Sequence, residues 1–339
     1  MKHTPLFLKP NRRSALVKYA LSAIALVATS FPPSSFAQAD FPSKPIKIIV
    51  AFPPGGTSDV MARMVAEPLS RVLKQPVTVE NIGGGGGVIG TERGVKAAAD
   101  GYTIIQTGVG QNAVAHGLDP DLIKRYNSNT DFIHLSQVHH GPNVLVVNAE
   151  RPFKTVKDLV DYAKKNPGKL DYGYTHAASG HMAMELFKQT AGIFMTGIPY
   201  RGGGPMMTAA LGNEIPFMFI NQDVALPHVK SGKLRALAVS SLQRNPLFPD
   251  VPTVAESGYP GFQALSWSGL SVAKGTPQPI VDKLEAAIRE VMTSPAIKQR
   301  MDSQGFVIPP LGRAPYADFI AKEIVQWDKV IKTAGIKAQ

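Results

Sequence analysis

The 339-residue chain contains no cysteine. That excludes disulfides, thiol nucleophiles and cysteine-ligated zinc together, so a fold of this size rests on its buried core. Apolar runs of about 20 residues, the length a bilayer requires, are also missing. There is no G-x-S-x-G nucleophile elbow and no H-E-x-x-H pair. His139–His140 and the pair His176/His181 come nearest to a metal site, but neither has a carboxylate or third histidine at supporting spacing, so no metal is expected. His181 and Glu185 read as a cap and a surface pair one helical turn apart. No long basic run is interleaved with aromatics, which argues against nucleic acid.

The N-terminus carries a targeting segment. Lys2, Lys9, Arg12, Arg13 and Lys18 precede an apolar run from Tyr19 to Phe31, and Ala37-x-Ala39 stands before Asp40. This is the pattern of a signal peptide over residues 1–39, cleaved near Ala39, so the mature chain is expected to be exported. The twin arginine leaves both the general secretory and the twin-arginine routes open. Cleavage would remove those five cations and take the net charge from +11 to +6, a mild excess that favours small anions.

Beyond it, strand-like and helix-like pieces alternate almost throughout. "PIKIIVAF" reads as a buried strand, and "TSDVMARMVAEPLSRVLK" as an amphipathic helix interrupted by Pro68. "TPQPIVDKLEAAIREVMTS" reads as a helix with Thr276 as cap and Pro277 as its first residue. Such alternation implies an α/β fold with mostly parallel sheets, and the length suits two domains. Boundaries are expected at "HHGPN" (139–143) and in the Pro/Gly-rich residues 245–262. They define a discontinuous first lobe, 40–142 plus 263–339, a second lobe, 143–262, and a hinged cleft between them.

"VTVENIGGGGGVIG" (77–90) contains a G-x-G-x-x-G, but it follows the second strand rather than the first. Where a dinucleotide fold needs an acid for the ribose, the chain has Gln106, Thr107, Gly108 and Gly110. No cofactor is expected. The glycines read as a close-approach turn, either at the rim of the cleft or packed beneath it.

"AFPPGGTSDV" (51–60) says more. A buried strand ends at Phe52, Pro53–Pro54 stiffen the turn, Gly55–Gly56 free it, and Thr57, Ser58 and Asp59 open a helix. Free N–H groups there make an anion site to which the hydroxyls can add, with Asp59 as a capping residue. Polar turns recur at Thr175, His176 and Ser179, at Arg201 and Gly202, at Asn221 and Gln222, and at Gly110, Gln111 and Asn112 after the strand "YTIIQT". Ligands of open α/β sheets bind beyond the carboxyl ends of strands, so these turns are expected to face one cleft.

Taken in order, "FPSKPIKIIVAFPPGGTSDVMAR", "VENIGGGGGVIGTERGVKAAADGYTI", "IPYRGGGPMMTAALGNEI", "ALPHVKSGKLRALAV" and "PDVPTVAESGYPGF" resemble the tripartite tricarboxylate transporter substrate-binding receptors, the Bug family, over nearly the whole mature chain. The resemblance implies a monomeric, two-lobed periplasmic binding protein of the type II-like α/β class, without enzymatic activity. Such a protein delivers a small organic anion to a permease of one large and one small membrane subunit. It carries Phe52, Gly55, Gly56, Thr57, Ser58 and Asp59 over as carboxylate-holding residues. Two departures bear on the ligand. His176 stands where relatives have a small residue, and Ile220–Asn221 where many have an acid. Both suit a di- or aromatic carboxylate lacking an amine. A co-receptor for a sensor kinase and an exported hydrolase are the rival functions.

Overall fold

The computed structural model describes Met1 and residues 41–336. The segment expected to be a signal peptide, Met1 apart, lies outside the described residues. A compact body runs from Lys44 onward.

Its first strand, β1 (Ile46–Val50), buries every side chain but Lys47. It is followed by α1 (Thr57–Leu73), which passes through Pro68 unbroken and turns Met61, Met64, Val65, Leu69 and Leu73 inward. Then come β2 (Val77–Asn81), α2 (Val88–Val95), β3 (Thr103–Gly108) and the short α3 (Ala115–Leu118), with a π-helical stretch at Val109–Val114 between the last two. β4 (Phe132–Asn148) is 17 residues long. After it alternate α4 (Val156–Lys165), β5 (Asp171–Tyr174), α5 (Ser179–Ala191), β6 (Thr196–Pro199), α6 (Gly203–Leu211), β7 (Phe217–Asn221), α7 (Gln222–Lys230) and β8 (Leu234–Val239). β9 (Leu265–Ala273), α8 (Gln278–Thr293), α9 (Pro295–Ser303) and α10 (Arg313–Ala334) complete the chain.

The strands form one sheet in the order β2-β1-β3-β9-β4-β7-β5-β6, with β8 branching from β4. The expectation of mostly parallel pairing holds only on the flanks. β2-β1-β3 and β6-β5-β7 are parallel, but β9 is antiparallel to β3 and β4, and β4 to β7 and β8. The reason is connectivity: β4 and β9 carry the chain out of one half and back into it, so they run in opposite directions. The anticipated boundary at residues 139–143 is no loop. It lies inside β4, which pairs with β9 as far as Pro142 and with β7 from Asn143.

Alternation along the end of β4 builds two cores. Leu145 and Val147 face a cluster with Phe187, Phe217 and Phe219 that also includes Trp267, Tyr316 and Trp327. Val144 and Val146 face another with Met206, Met218 and Ile220. A sheet covered on both faces needs such continuous apolar runs. α8 starts one residue later than expected. Pro277 is its N-cap, and the Thr276 hydroxyl donates to the Ala273 carbonyl instead.

Candidate functional site

The turns beyond the carboxyl ends of β1, β3, β5, β6 and β7 converge on one cleft, with Ser266 and Trp267 of β9 in its wall. Of the residues anticipated from sequence, Phe52, Gly56, Thr57, Ser58, Gly110, Gln111, Thr175, Ser179, Arg201, Gly202 and Asn221 line it; Gly55, Asp59, Asn112, His176 and Gln222 do not.

The residues outside the lining have other work. The Asp59 carboxylate turns back on its own helix start, accepting from the Gly55 N–H (3.1 Å) and Arg63 Nε (3.0 Å). Burial acts to raise its pKa, but the bonds from Arg63, Gly55 and Asn81 outweigh that and hold it below the usual carboxylate range. Asn112 Oδ1 accepts the Gly108 N–H (3.0 Å) and so caps the bend after β3. Gln222 Nε2 donates to the Gln304 carbonyl (2.8 Å). His176 is half-buried in a separate recess behind α5 with His181, Tyr172, Tyr174 and Glu185. His181 and Glu185 are no surface pair: both are buried, and Glu185 accepts from the Tyr172 hydroxyl and from Lys188.

The first turn is held from below. Asn81 Nδ2 donates to the Phe52 carbonyl (3.0 Å) and Gln106 Nε2 to the Ser58 carbonyl (2.7 Å). Its two hydroxyls differ. Thr57 Oγ1 donates to the Asp223 carboxylate. The Ser58 hydroxyl makes no hydrogen bond among the described residues and faces the cleft. Opposite, Ser179 Oγ donates to Asn143 Oδ1 (3.0 Å), and Asn221 Nδ2 to Ser266 Oγ (2.6 Å).

Helices α1, α5, α6 and α7 all begin at this cleft; the first three have no side-chain cap for their first N–H groups, whereas in α7 the Asp223 carboxylate accepts from its own N–H and that of Val224. By contrast, α4, away from the cleft, closes its N-terminus with a Thr155/Asp158 capping box. Uncapped N-termini leave donors and positive dipole ends for an anion. Among the described residues, the lining contains no Asp or Glu, and its only formally charged side chain is Arg201. His181 also reaches the lining, and burial, aided by the neighbouring His176 and Lys188 charges against that of Glu185, lowers its pKa to about 4 and keeps the ring neutral.

The five-glycine turn lies behind this lining. A side chain on Gly86, at φ +63°, would meet Ala177 Cβ at 2.9 Å, and one on Gly87 would meet the Phe52 ring. The turn therefore packs the β5–α5 bend against the first turn. Ala177 itself is held at φ +59°, a left-handed conformation unusual for a residue with Cβ. Among the described residues no three His, Asp or Glu side chains gather as a metal site. Ile220, noted from the sequence as standing where many relatives have an acid, lines the cleft, whereas Trp267 and Ser266 were not anticipated. Only the aromatic in "LSWSG", just past the second Pro/Gly-rich stretch, could have signalled them.

Comparison with known proteins gives a consistent result. The model of the tripartite tricarboxylate transporter family receptor matches residues 61–336. Protein BugT of Bordetella pertussis is 38% identical over 301 residues, covering 88% of this chain and 91% of that protein. The structure of R. palustris Rpa4515 with adipate superimposes with a TM-score of 0.84 at 31% identity, covering 88% of this chain and 99% of that one. That of MatC (Rpa3494) from Rhodopseudomonas palustris with bound malate gives 0.80 at 30% identity, covering 86% and 100%.

Proposed function

We propose that this chain, which belongs to the tripartite tricarboxylate transporter receptor family, works in the periplasm, where it captures a small organic carboxylate and delivers it to a permease of large and small membrane subunits. It is a solute receptor with the α/β periplasmic-binding fold, and its family is non-enzymatic. The observation that carries the ligand class is the meeting of three uncapped helix N-termini, those of α1, α5 and α6, in a cleft without a free acid. Such a cleft attracts a carboxylate and offers no counter-charge to an amine. Adipate and malate, the ligands of the two solved relatives, are both carboxylates without an amine.

One ligand carboxylate docks on the α1 N-terminus, at Gly56–Ser58. The lobes 40–142 plus 263–339 and 143–262 then close over it, pivoting where β4 exchanges β9 for β7. Contacts with both lobes shift the population toward the closed form, and no bond is made or broken. The remainder of the ligand makes it a di- or aromatic carboxylate.

Mass spectrometry of the molecule released by denaturing freshly purified protein tests the class directly. A calorimetric screen follows it, and a screen in which amino acids bind and simple carboxylates do not would sink this assignment. Co-purification of the liganded form with a permease subunit separates transport from service as a sensor kinase's co-receptor.

A further inference from the structure

We propose that Arg201 anchors a second anionic group, so that the cleft selects dicarboxylates over monocarboxylates, aromatic ones included. This rests on the receptor function above and decides between the two ligand classes it allows.

Arg201 is the only charged side chain in the cleft lining. It is exposed and makes no hydrogen bond or ion pair among the described residues. Two other arginines of the same half are tied down. Arg151 donates to the Asn213 side chain and carbonyl, and Arg235 to the carbonyls of Ala149, Arg151 and Phe153. The backbone beside Arg201 is shaped for reach. Gly202, at φ +113°, turns the chain into α6, and Gly203 and Gly204 add no side chains at the mouth.

Its place completes the argument. A methyl group on Gly202 would stand 3.8 Å from Pro53 Cγ, so the Arg201 turn abuts the first turn and the two line one cleft. One wall presents the α1 N-terminus with the free Ser58 hydroxyl, the other a guanidinium whose planar fork matches a carboxylate in bidentate fashion. No acid in the lining neutralises either. A monocarboxylate on the first wall leaves the guanidinium with water, whereas a diacid engages both. The imidazole of His181, neutral in this environment, does not compete as a second cation.

Calorimetry at pH 8 with matched pairs, succinate/butyrate, glutarate/pentanoate and adipate/hexanoate, tests the assignment on wild type, Arg201→Ala and Arg201→Lys. For the diacid length that binds best, wild type should prefer the diacid by about 10–100-fold, the worth of one charge-assisted hydrogen-bonding group. Arg201→Ala should lower the affinity for that diacid about 10–100-fold and that for the monoacid far less, with circular dichroism certifying the fold. Arg201→Lys should recover part of the preference. Equal loss for both members of a pair overturns the proposal, because Arg201 would then serve the first carboxylate. So does an unchanged diacid affinity. Wild type that takes monoacids as well as diacids keeps the receptor function and removes this inference; wild type that takes neither removes both.

Discussion

Thr57 Oγ1 lies 2.9 Å from each carboxylate oxygen of Asp223, a bond between the first residue of α1 and the second of α7. The two residues are 166 positions apart and belong to turns on opposite sides of the cleft. The Thr57 proton is thereby committed, and Ser58 carries the open hydroxyl of the turn. Asp223 is also held by the N–H of Val224 and its own, yet burial dominates and pushes its pKa up to about 6.

Ser58→Ala should therefore weaken carboxylate binding by roughly tenfold, toward the lower end of what a hydrogen bond to a charged group is worth. The melting temperature should not move, since the hydroxyl bonds nothing in the protein. Titration calorimetry with a diacid checks it, and undiminished affinity would relocate the carboxylate away from α1.

Asp223→Asn should be more stable than wild type at pH 8, with the gap closing as the pH falls toward 5. The folded-state pKa is about 6 against the ordinary aspartate value of 3.8. The folded protein thus binds the proton first, and the ionised carboxyl destabilises it above that range. A gap of about 1–3 °C at pH 8 is the expected scale for a chain of this length. Parallel melting scans of the two proteins from pH 5 to 8 measure it.

The buried histidines act in the opposite sense. His139 is fully buried against Phe306 with both ring nitrogens unpartnered, and burial, reinforced by the His140 charge, lowers its pKa to about 3; burial lowers His134 to about 4. The unfolded chain takes up these protons near 6.5 and the folded chain does not. Stability from this source is complete above pH 6.5 and lost progressively toward pH 3. His139→Leu should flatten the slope of denaturant-derived stability between pH 6.5 and 4, whatever it does to the value at pH 7.

Gly86→Ala should weaken ligand binding by about tenfold while lowering stability by only about 1 kcal/mol, the cost of one left-handed residue with a side chain. The added methyl would stand 2.9 Å from Ala177 Cβ and hold the two turns apart. Adding Ala177→Gly removes that collision and the strain at φ +59°, so the double variant should recover affinity. Small-angle scattering with saturating diacid would show whether the single variant stays more open.

These particulars indicate what the sequence could reveal. The β1 turn and α1 were legible because their determinants are local: an Ile/Val run, two prolines, two glycines and a helix start. The length of β4 was not. Its first part, "FIHLSQVHHG", is as polar as a loop, and its polar side chains are buried by tertiary packing: His134 Nδ1 meets Ser271 Oγ of β9 at 2.8 Å, and His139 packs against Phe306. His176 was expected in the cleft because a helix-leading turn offers its polar residues to the space ahead. The left-handed Ala177, which no residue type announces, accompanies its placement in the recess behind α5. Trp267 joins the cleft wall some 200 residues of chain after the first turn, a distance over which neither periodicity nor turn chemistry speaks.

The chain has two tryptophans, and the indole N–H groups of both Trp267 (2.6 Å) and Trp327 (2.9 Å) donate to the same Glu323 oxygen. One of these rings is in the cleft wall; the other is buried on α10. The protein thus carries an optical gauge of its own, in which any ligand that moves Trp267 also alters the electrostatic surroundings of its twin. Its fluorescence will register occupancy without a dye, as a single signal from both rings.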